Sequence, residues 1–446
     1  MELDSVSRSP AVRVVVIGAL ILFLQIPVLF TYGLMSERES SKNSAVREIA
    51  QSWGLAQEVV GPYLVVPYRT AHVRTNEAGQ AYTHWVEDTA TFLPDALEVS
   101  AVLDGQTLHR GIYESVVYAA EIGIVGSFSK PDFSKWNITE EQILWDQARL
   151  MLEVSDARGF RDSVEVTWAG EAHSFEPGER TLPGARQGLQ TALNAADLEA
   201  ETFPFEMNFD LKGRSNIRFA PLGRRTETRI TGAWPSPSFQ GAWLPDERET
   251  TADGFSASWA IPFLGRSFPQ SWTGALQNTP LISQFGVDLL TPVDAYRQTE
   301  RSLKYELLFL ALTFAPLWLF EVLAGIRLHF IQYGLIGAAI CLFYLLELSL
   351  AEQLGFANAY ALAAAMIAGL VTSYAWSVLG SVSRAATMGA VISGLYGFLY
   401  VLISLEDFAL LVGSLALFAV LAVLMYTTRR VNWFQVGSSG KPADPA

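Results

Sequence analysis

Three carboxylates, Glu306, Glu321 and Glu347, stand in or beside long apolar runs of this sequence. An acid in lipid is costly and is by default suspected of relaying protons or pairing with a cation. Each of the three, however, falls toward the end of its run: Glu306 beside Lys304, Glu321 near Arg327, Glu347 shortly before Glu352. Position therefore favours interfacial carboxylates that reach the headgroup layer. Arg297, Arg301 and Lys304 recur at i, i+4 and i+7 and share one helix face. That face could meet lipid phosphates at the outer leaflet or an acidic domain above it. Asp294 and Glu300 are in range on the same helix, so local pairing is favoured.

Signatures of other chemistry do not occur in the sequence. His72, His84, His109, His173 and His329 form no H-E-x-x-H and no i,i+4 pair, and one cysteine, Cys341, can build neither a structural zinc site nor an intramolecular disulfide. His84, Glu87 and Asp88 make the densest polar cluster, which on a β-rich surface reads as solvated side chains. There is no G-x-S-x-G, Walker A or dinucleotide fingerprint. The expectation is a non-enzyme with no catalytic residue, no metal and no cofactor. A net charge of −14 speaks against nucleic acid as a partner, because that needs a basic surface.

The elements that must carry these side chains divide the 446 residues unevenly. An apolar stretch at 11–32 is too long for a cleavable h-region and lacks an A-x-A site, so it reads as an uncleaved signal anchor. Polar helix formers at 36–56 extend it outward as a stalk. From Gly61 the pattern changes to strands: Leu64-Val65-Val66 lies between Pro62 and Pro67, and LEVSAVLDGQTL at 97–108 carries an Asp104-Gly105 hairpin signal. Similar runs at 113–128, 150–154, 164–168 and 203–211 predict a β-rich extramembrane domain with short helices only after Thr139 and at 197–200. GSFSKPDF at 126–133 and GAWPSPSF at 232–239 echo one another about a sandwich-length apart, which is either a pair of tandem β-sandwiches or a coincidence of aromatic-rich strands.

Residues 291–320 join the two halves. Thr291, Pro292 and Asp294 mark a helix start, Glu300 and Lys304 form an i,i+4 pair, and no glycine interrupts the run before Gly325. The spacing predicts one continuous helix, bent at most at Pro316, whose polar part projects as a stiff stalk. Four more spans follow at 330–348, 356–376, 387–403 and 408–427, giving six membrane helices arranged one plus five. Small residues at Ala361, Ala364, Ala365, Ala368 and Gly369 predict close helix packing, and Trp376 and Trp433 fit interfacial belts. Arg327, Arg384, Arg429, Arg430 and Lys441 all fall on one side, opposite Glu352, Glu406 and Asp407. The positive-inside rule makes that side cytoplasmic, with both termini there and a large domain outside. The domain boundaries expected are 1–35, 36–290, 291–427 and a tail at 428–446.

The segments GPYLVVPY from Gly61, RGIYESVVYAAEI from Arg110, LMLEVSDARGF from Leu150, FAPLGRRTETRITGAWPSPSFQGAWLPDERE from Phe219, GVDLLTPVDAYRQTERSLKYELLFLALTF from Gly286 and LEDFALLVGS from Leu405 resemble the CreD family of bacterial inner-membrane proteins. The resemblance spans nearly the whole chain and implies a Gram-negative inner-membrane location, a periplasmic domain, and a role in envelope integrity and stress response. It supplies no catalytic residue. The function expected is a non-enzymatic envelope protein, in contact with the lipid bilayer, whose periplasmic domain binds a protein or cell-wall component. Two alternatives are a small-molecule or lipid transporter built on the five-helix bundle and a membrane-anchored periplasmic hydrolase.

Overall fold

Strict alternation writes the strands. Leu97, Val99, Ala101 and Leu103 are buried while Glu98, Ser100, Val102 and Asp104 face out, so one face of the strand joins a core and the other meets solvent. The computed structural model describes residues 10–75, 80–179, 182, 187–276, 283–290, 295–324, 328–405 and 408–429. It separates into two units, Lys42–Pro292 and Met1–Ser41 with Val293–Ala446.

In the first unit the described residues hold seventeen strands: β1 Gln57–Thr75, β2 Ala81–Phe92, β3 Ala96–Arg110, β4 Tyr113–Ser129, β5 Ala148–Val154, β6 Glu165–Trp168, β7 Glu171–Ser174, β8 Glu176–Gly178, β9 Gln187–Leu193, β10 Thr202–Arg214, β11 Asn216–Phe219, β12 Arg225–Gly232, β13 Pro237–Gly241, β14 Glu247–Thr250, β15 Phe255–Pro262, β16 Ser271–Thr273 and β17 Phe285–Leu289. One sheet runs β13-β17-β11-β1-β5-β9-β8, with β2 and β16 added beside β1; the other runs β14-β15-β12-β3-β4-β10-β6-β7. Their inner faces share one hydrophobic core. Trp259 of one sheet lies 5.3 Å from Phe285 of the other, and the buried Tyr118 hydroxyl donates across to the Asn216 carbonyl at 2.7 Å.

This architecture corrects three expectations. Tandem sandwiches are excluded by the pairing: β1 lies parallel to β11 and β3 parallel to β12, so strands from the two halves of the sequence are joined within each sheet. The echoed segments nevertheless hold comparable places. Gly126 and Gly232 both sit in the same sheet where a Cβ would strike a phenylalanine ring, that of Phe205 and of Phe255 respectively. The Asp104-Gly105 signal is not a turn, because β3 passes straight through it and turns at Gly111 (φ 62°). Gly105 instead leaves room for the Trp234 indole, which an added Cβ would meet at 2.9 Å. The two expected helices are single 3-10 turns, Glu140–Gln142 and Ala195–Leu198.

In the second unit the described residues form the helices α1 Pro10–Trp53, whose last turns belong to the β unit, α2 Ala295–Lys304, α3 Glu306–Ala324, α4 Phe330–Leu354, α5 Phe356–Leu379, α6 Val382–Ser404 and α7 Ala409–Thr428. Five of them are long and apolar enough to cross a membrane, and α2 with α3 makes a sixth, bent by 48°. That bend overturns the continuous joint helix. It falls at Tyr305, whose N–H bonds the Ser302 carbonyl in a tightened turn, while α3 continues through Pro316. Nor does α2 project as a free stalk: Thr299, Ser302 and Leu303 are buried against the bundle. Of the small residues expected to pack closely, Ala364 and Ala368 pack against the bundle core while Ala361 and Ala365 are exposed. They line a groove of about 420 Å3 between α5 and α6, and the fully buried small residues of α5 are Ala359 and Ala363. The helix-start signals Thr291, Pro292 and Asp294, together with Gly325, Arg327, Glu406, Asp407, Arg430, Trp433 and Lys441, lie outside the described residues.

Candidate functional site

Glu306, Glu321 and Glu347 do not face outward from the bundle. They are 2%, 9% and 0% exposed, turned into the bundle from α3 and α4. Interfacial placement was the natural reading because run ends sit near headgroups; what it missed is which helix face each acid occupies. Helical periodicity within an all-round apolar helix carries almost no signal of that kind.

The three acids have different surroundings. Glu321 has three donors: Arg13 of α1 pairs with it, the Leu328 N–H donates at 2.8 Å and the Tyr333 hydroxyl at 3.3 Å. Glu306 accepts from Gln25 Nε2 at 3.2 Å, a neutral amide on α1. Glu347 accepts on Oε2 from Ser302 Oγ at 2.8 Å, and its Oε1 has no hydrogen-bond partner. Among the described residues neither Glu306 nor Glu347 has an ion-pair partner. Glu352, five residues beyond Glu347, accepts from the Tyr296 hydroxyl at 2.8 Å and lies 3.9 Å from Arg38.

The basic face of α2 is divided among three tasks. Lys304 pairs with Glu300 at 2.9 Å, the i,i+4 contact read from spacing. Arg301 donates to the carbonyls of Leu402 and Leu405 at 3.3 and 3.0 Å, closing the C-terminal end of α6, where orphan carbonyls and the helix dipole favour a cation. Arg297 is exposed. The structure thus gathers Arg301, Ser302, Glu306 and Glu347 around the α2–α3 bend and leaves Arg297 and Lys304 on the outside.

The β unit adds two features that sequence spacing hid. Glu171, His173 and Asp197 have ligand atoms all within 4.8 Å of one another, a grouping able to share a cation, although Glu171 is exposed and Asp197 already accepts from the Asn194 N–H at 2.6 Å. On the outer face of the second sheet a groove of about 570 Å3 is lined by Glu98, Ser100, Glu227, Arg229, Asp246 and Ser258 among others. His84, Glu87 and Asp88 do not converge: they alternate along β2, where His84 stands opposite His72 and Asp88 accepts from the Tyr68 hydroxyl at 3.3 Å.

Comparison with known proteins bears on all of this. A family model described as Inner membrane protein CreD matches residues 9–434. The chain is 30% identical over 426 residues to Inner membrane protein CreD of Escherichia coli (strain K12), covering 94% of this chain and 92% of that protein. Solved structures of M1 zinc metallopeptidase from Deinococcus radiodurans align with TM-scores of only 0.20 and, for a mutant bound to a Tyr-Ser-Ala substrate, 0.23. The first is 7% identical and covers 44% of this chain and 42% of its own; the second is 9% identical and covers 79% and 95%. Likeness at that level carries no argument about fold or activity. The match to the family, by contrast, runs through the β unit and every described helix, and this multi-pass chain belongs to the CreD family of inner membrane proteins.

Proposed function

We propose that this protein serves envelope integrity and the envelope stress response without catalysing a reaction, and that its β unit lies in the periplasm and binds an envelope component or protein partner. The observation that carries the binding reading is the groove over β3, β4, β12 and β15, about 570 Å3, which Glu98, Glu227 and Asp246 line together with Arg229. Such a mixed-charge concavity suits a polar partner, a glycan or peptide with amine and hydroxyl groups, rather than an apolar one. Orientation is supported by basic residues: Arg13, Arg384 and Arg429 belong to the same side of the membrane helices, Glu352 to the opposite one. Both termini are then cytoplasmic.

The test uses the full chain in cells, with a photoreactive residue in place of Ser100 or Ser258. Irradiation is expected to capture one discrete species, and Arg229→Glu should weaken that capture several-fold. A groove that captures nothing while the protein accumulates normally would overturn the reading. A reporter fused after Thr428 that proves active only outside the cytoplasm would overturn the orientation.

A further inference from the structure

Glu347 has the least compatible surroundings of any acid in the bundle. It is fully buried, Ser302 is its one donor, and Oε1 is unpartnered. Thr299 of α2, one turn before Ser302, Tyr344 of α4, one turn before Glu347, and Tyr396 of α6 likewise carry buried hydroxyls with no hydrogen-bond partner. The cations nearby are engaged elsewhere: Arg301 on the α6 carbonyls, Lys304 on Glu300, Arg38 on Glu352. Among the described residues the other titratable groups facing this region are Glu306 of α3 with Gln25, Tyr32 of α1, Cys341 of α4, and Tyr360 of α5, which donates to the Tyr396 carbonyl at 2.7 Å.

Depth can be counted along the helices. Arg13, Gln25 and Arg38 of α1 touch Glu321, Glu306 and Glu352 respectively. At 1.5 Å per residue Gln25 is about 18 Å from Arg13 and about 20 Å from Arg38, which puts the Glu306 pair near the middle of the hydrocarbon. On α4, Glu347 stands between Cys341, whose thiol meets the Leu24 carbonyl at 3.6 Å, and Glu352. Those residues are about 9 and about 8 Å away along the axis. The four acids are therefore ordered Glu352, Glu347, Glu306, Glu321 across the unit. The outer two meet arginine and the inner two meet only neutral donors.

We propose that Glu347, with Ser302 and the neighbouring Glu306–Gln25 pair, forms a proton-binding site inside the membrane unit. A bare carboxylate there would carry a desolvation penalty with no cation to offset it, and a buried group in that position neutralises instead. A proton from the aqueous phase adds to Oε1 of Glu347, forming one O–H bond and breaking none in the protein. Ser302 goes on donating to Oε2. Glu321, ion-paired with Arg13, is the internal contrast. This inference concerns the bundle and stands apart from the reading of the β unit.

The test is infrared spectroscopy of the full chain in phospholipid nanodiscs, titrated from acid to alkaline pH, with the proton itself as the probe. The wild type is expected to show the C=O stretch of a protonated carboxyl at pH 7 that disappears only on raising the pH. Glu347→Gln should remove most of that band and Glu321→Gln should leave it. Ser302→Ala keeps the carboxyl and should move the band by removing its hydrogen bond. A wild type without such a band at pH 7 overturns the proposal, whatever the variants do. So does a Ser302→Ala spectrum identical to wild type, or a Glu347→Gln variant that keeps the band.

Discussion

Asp156 and Arg266 are buried charges of the β unit, and each is held in part by backbone groups far from it in sequence. Burial works to raise the Asp156 carboxyl, but hydrogen bonds from Arg158 (Nε 2.8 Å) and the Leu55 N–H (3.1 Å) outweigh it and hold the group below its usual range. A depressed carboxyl stabilises the fold above its unfolded value, near pH 4, and ceases to do so as the pH falls through the lower folded value. Asp156→Asn should therefore cost about 1.5–3 kcal/mol at pH 7, and the gap in thermal stability between variant and wild type should narrow below about pH 4. Arg266 donates from Nη1 to the carbonyls of Pro221, Leu222 and Gly223, and burial together with nearby Arg224 pushes its guanidinium down to about 10. Arg158 is close to Asp156 in sequence, but the Leu55 N–H and the carbonyls around Arg266 are backbone groups whose position only the fold decides. The same holds for Glu347: its place in an apolar run was visible, the face it occupies was not.

Strands and spans were legible because their signals are periodic and local. The four spans after the joint begin within a few residues of α4 to α7, and alternation located β3, β4 and β10. What failed was punctuation. An Asp-Gly pair usually marks a hairpin turn, yet at Gly105 the smallest residue is needed for a tertiary reason, the Trp234 ring. Gly105→Val is expected to cost about 1–3 kcal/mol by overpacking, measured by denaturant titration, whereas a turn glycine at Gly111, with open space around its missing Cβ, would penalise a substitution through its positive φ instead. The bend at Tyr305 failed in the opposite sense: no glycine or proline announces it. The side chains around it are anchored to three helices, Ser302 to α4, Glu306 to α1 and Arg301 to α6, and such tertiary ties have no signature in one sequence.

Across the whole molecule, the β unit is one cooperative body rather than two. Its parallel pairs β1/β11 and β3/β12 close contacts over more than a hundred residues of chain, so no half can keep its core alone. Trp259→Ala should cost about 3–5 kcal/mol and release hydrogen-exchange protection in β4, β10 and β17 together. Two separate transitions would contradict this. In the membrane unit, the charged contacts at Arg13 and Arg38 are separated along α1 by about 37 Å, a little more than a bilayer's hydrocarbon thickness. That interval works as a gauge for hydrophobic mismatch. A thinner bilayer could be met by tilting α1, but a thicker one would draw Arg13 or Arg38 into lipid and strain the contact that holds it. Membrane thickness itself thereby becomes a variable to which this chain must respond.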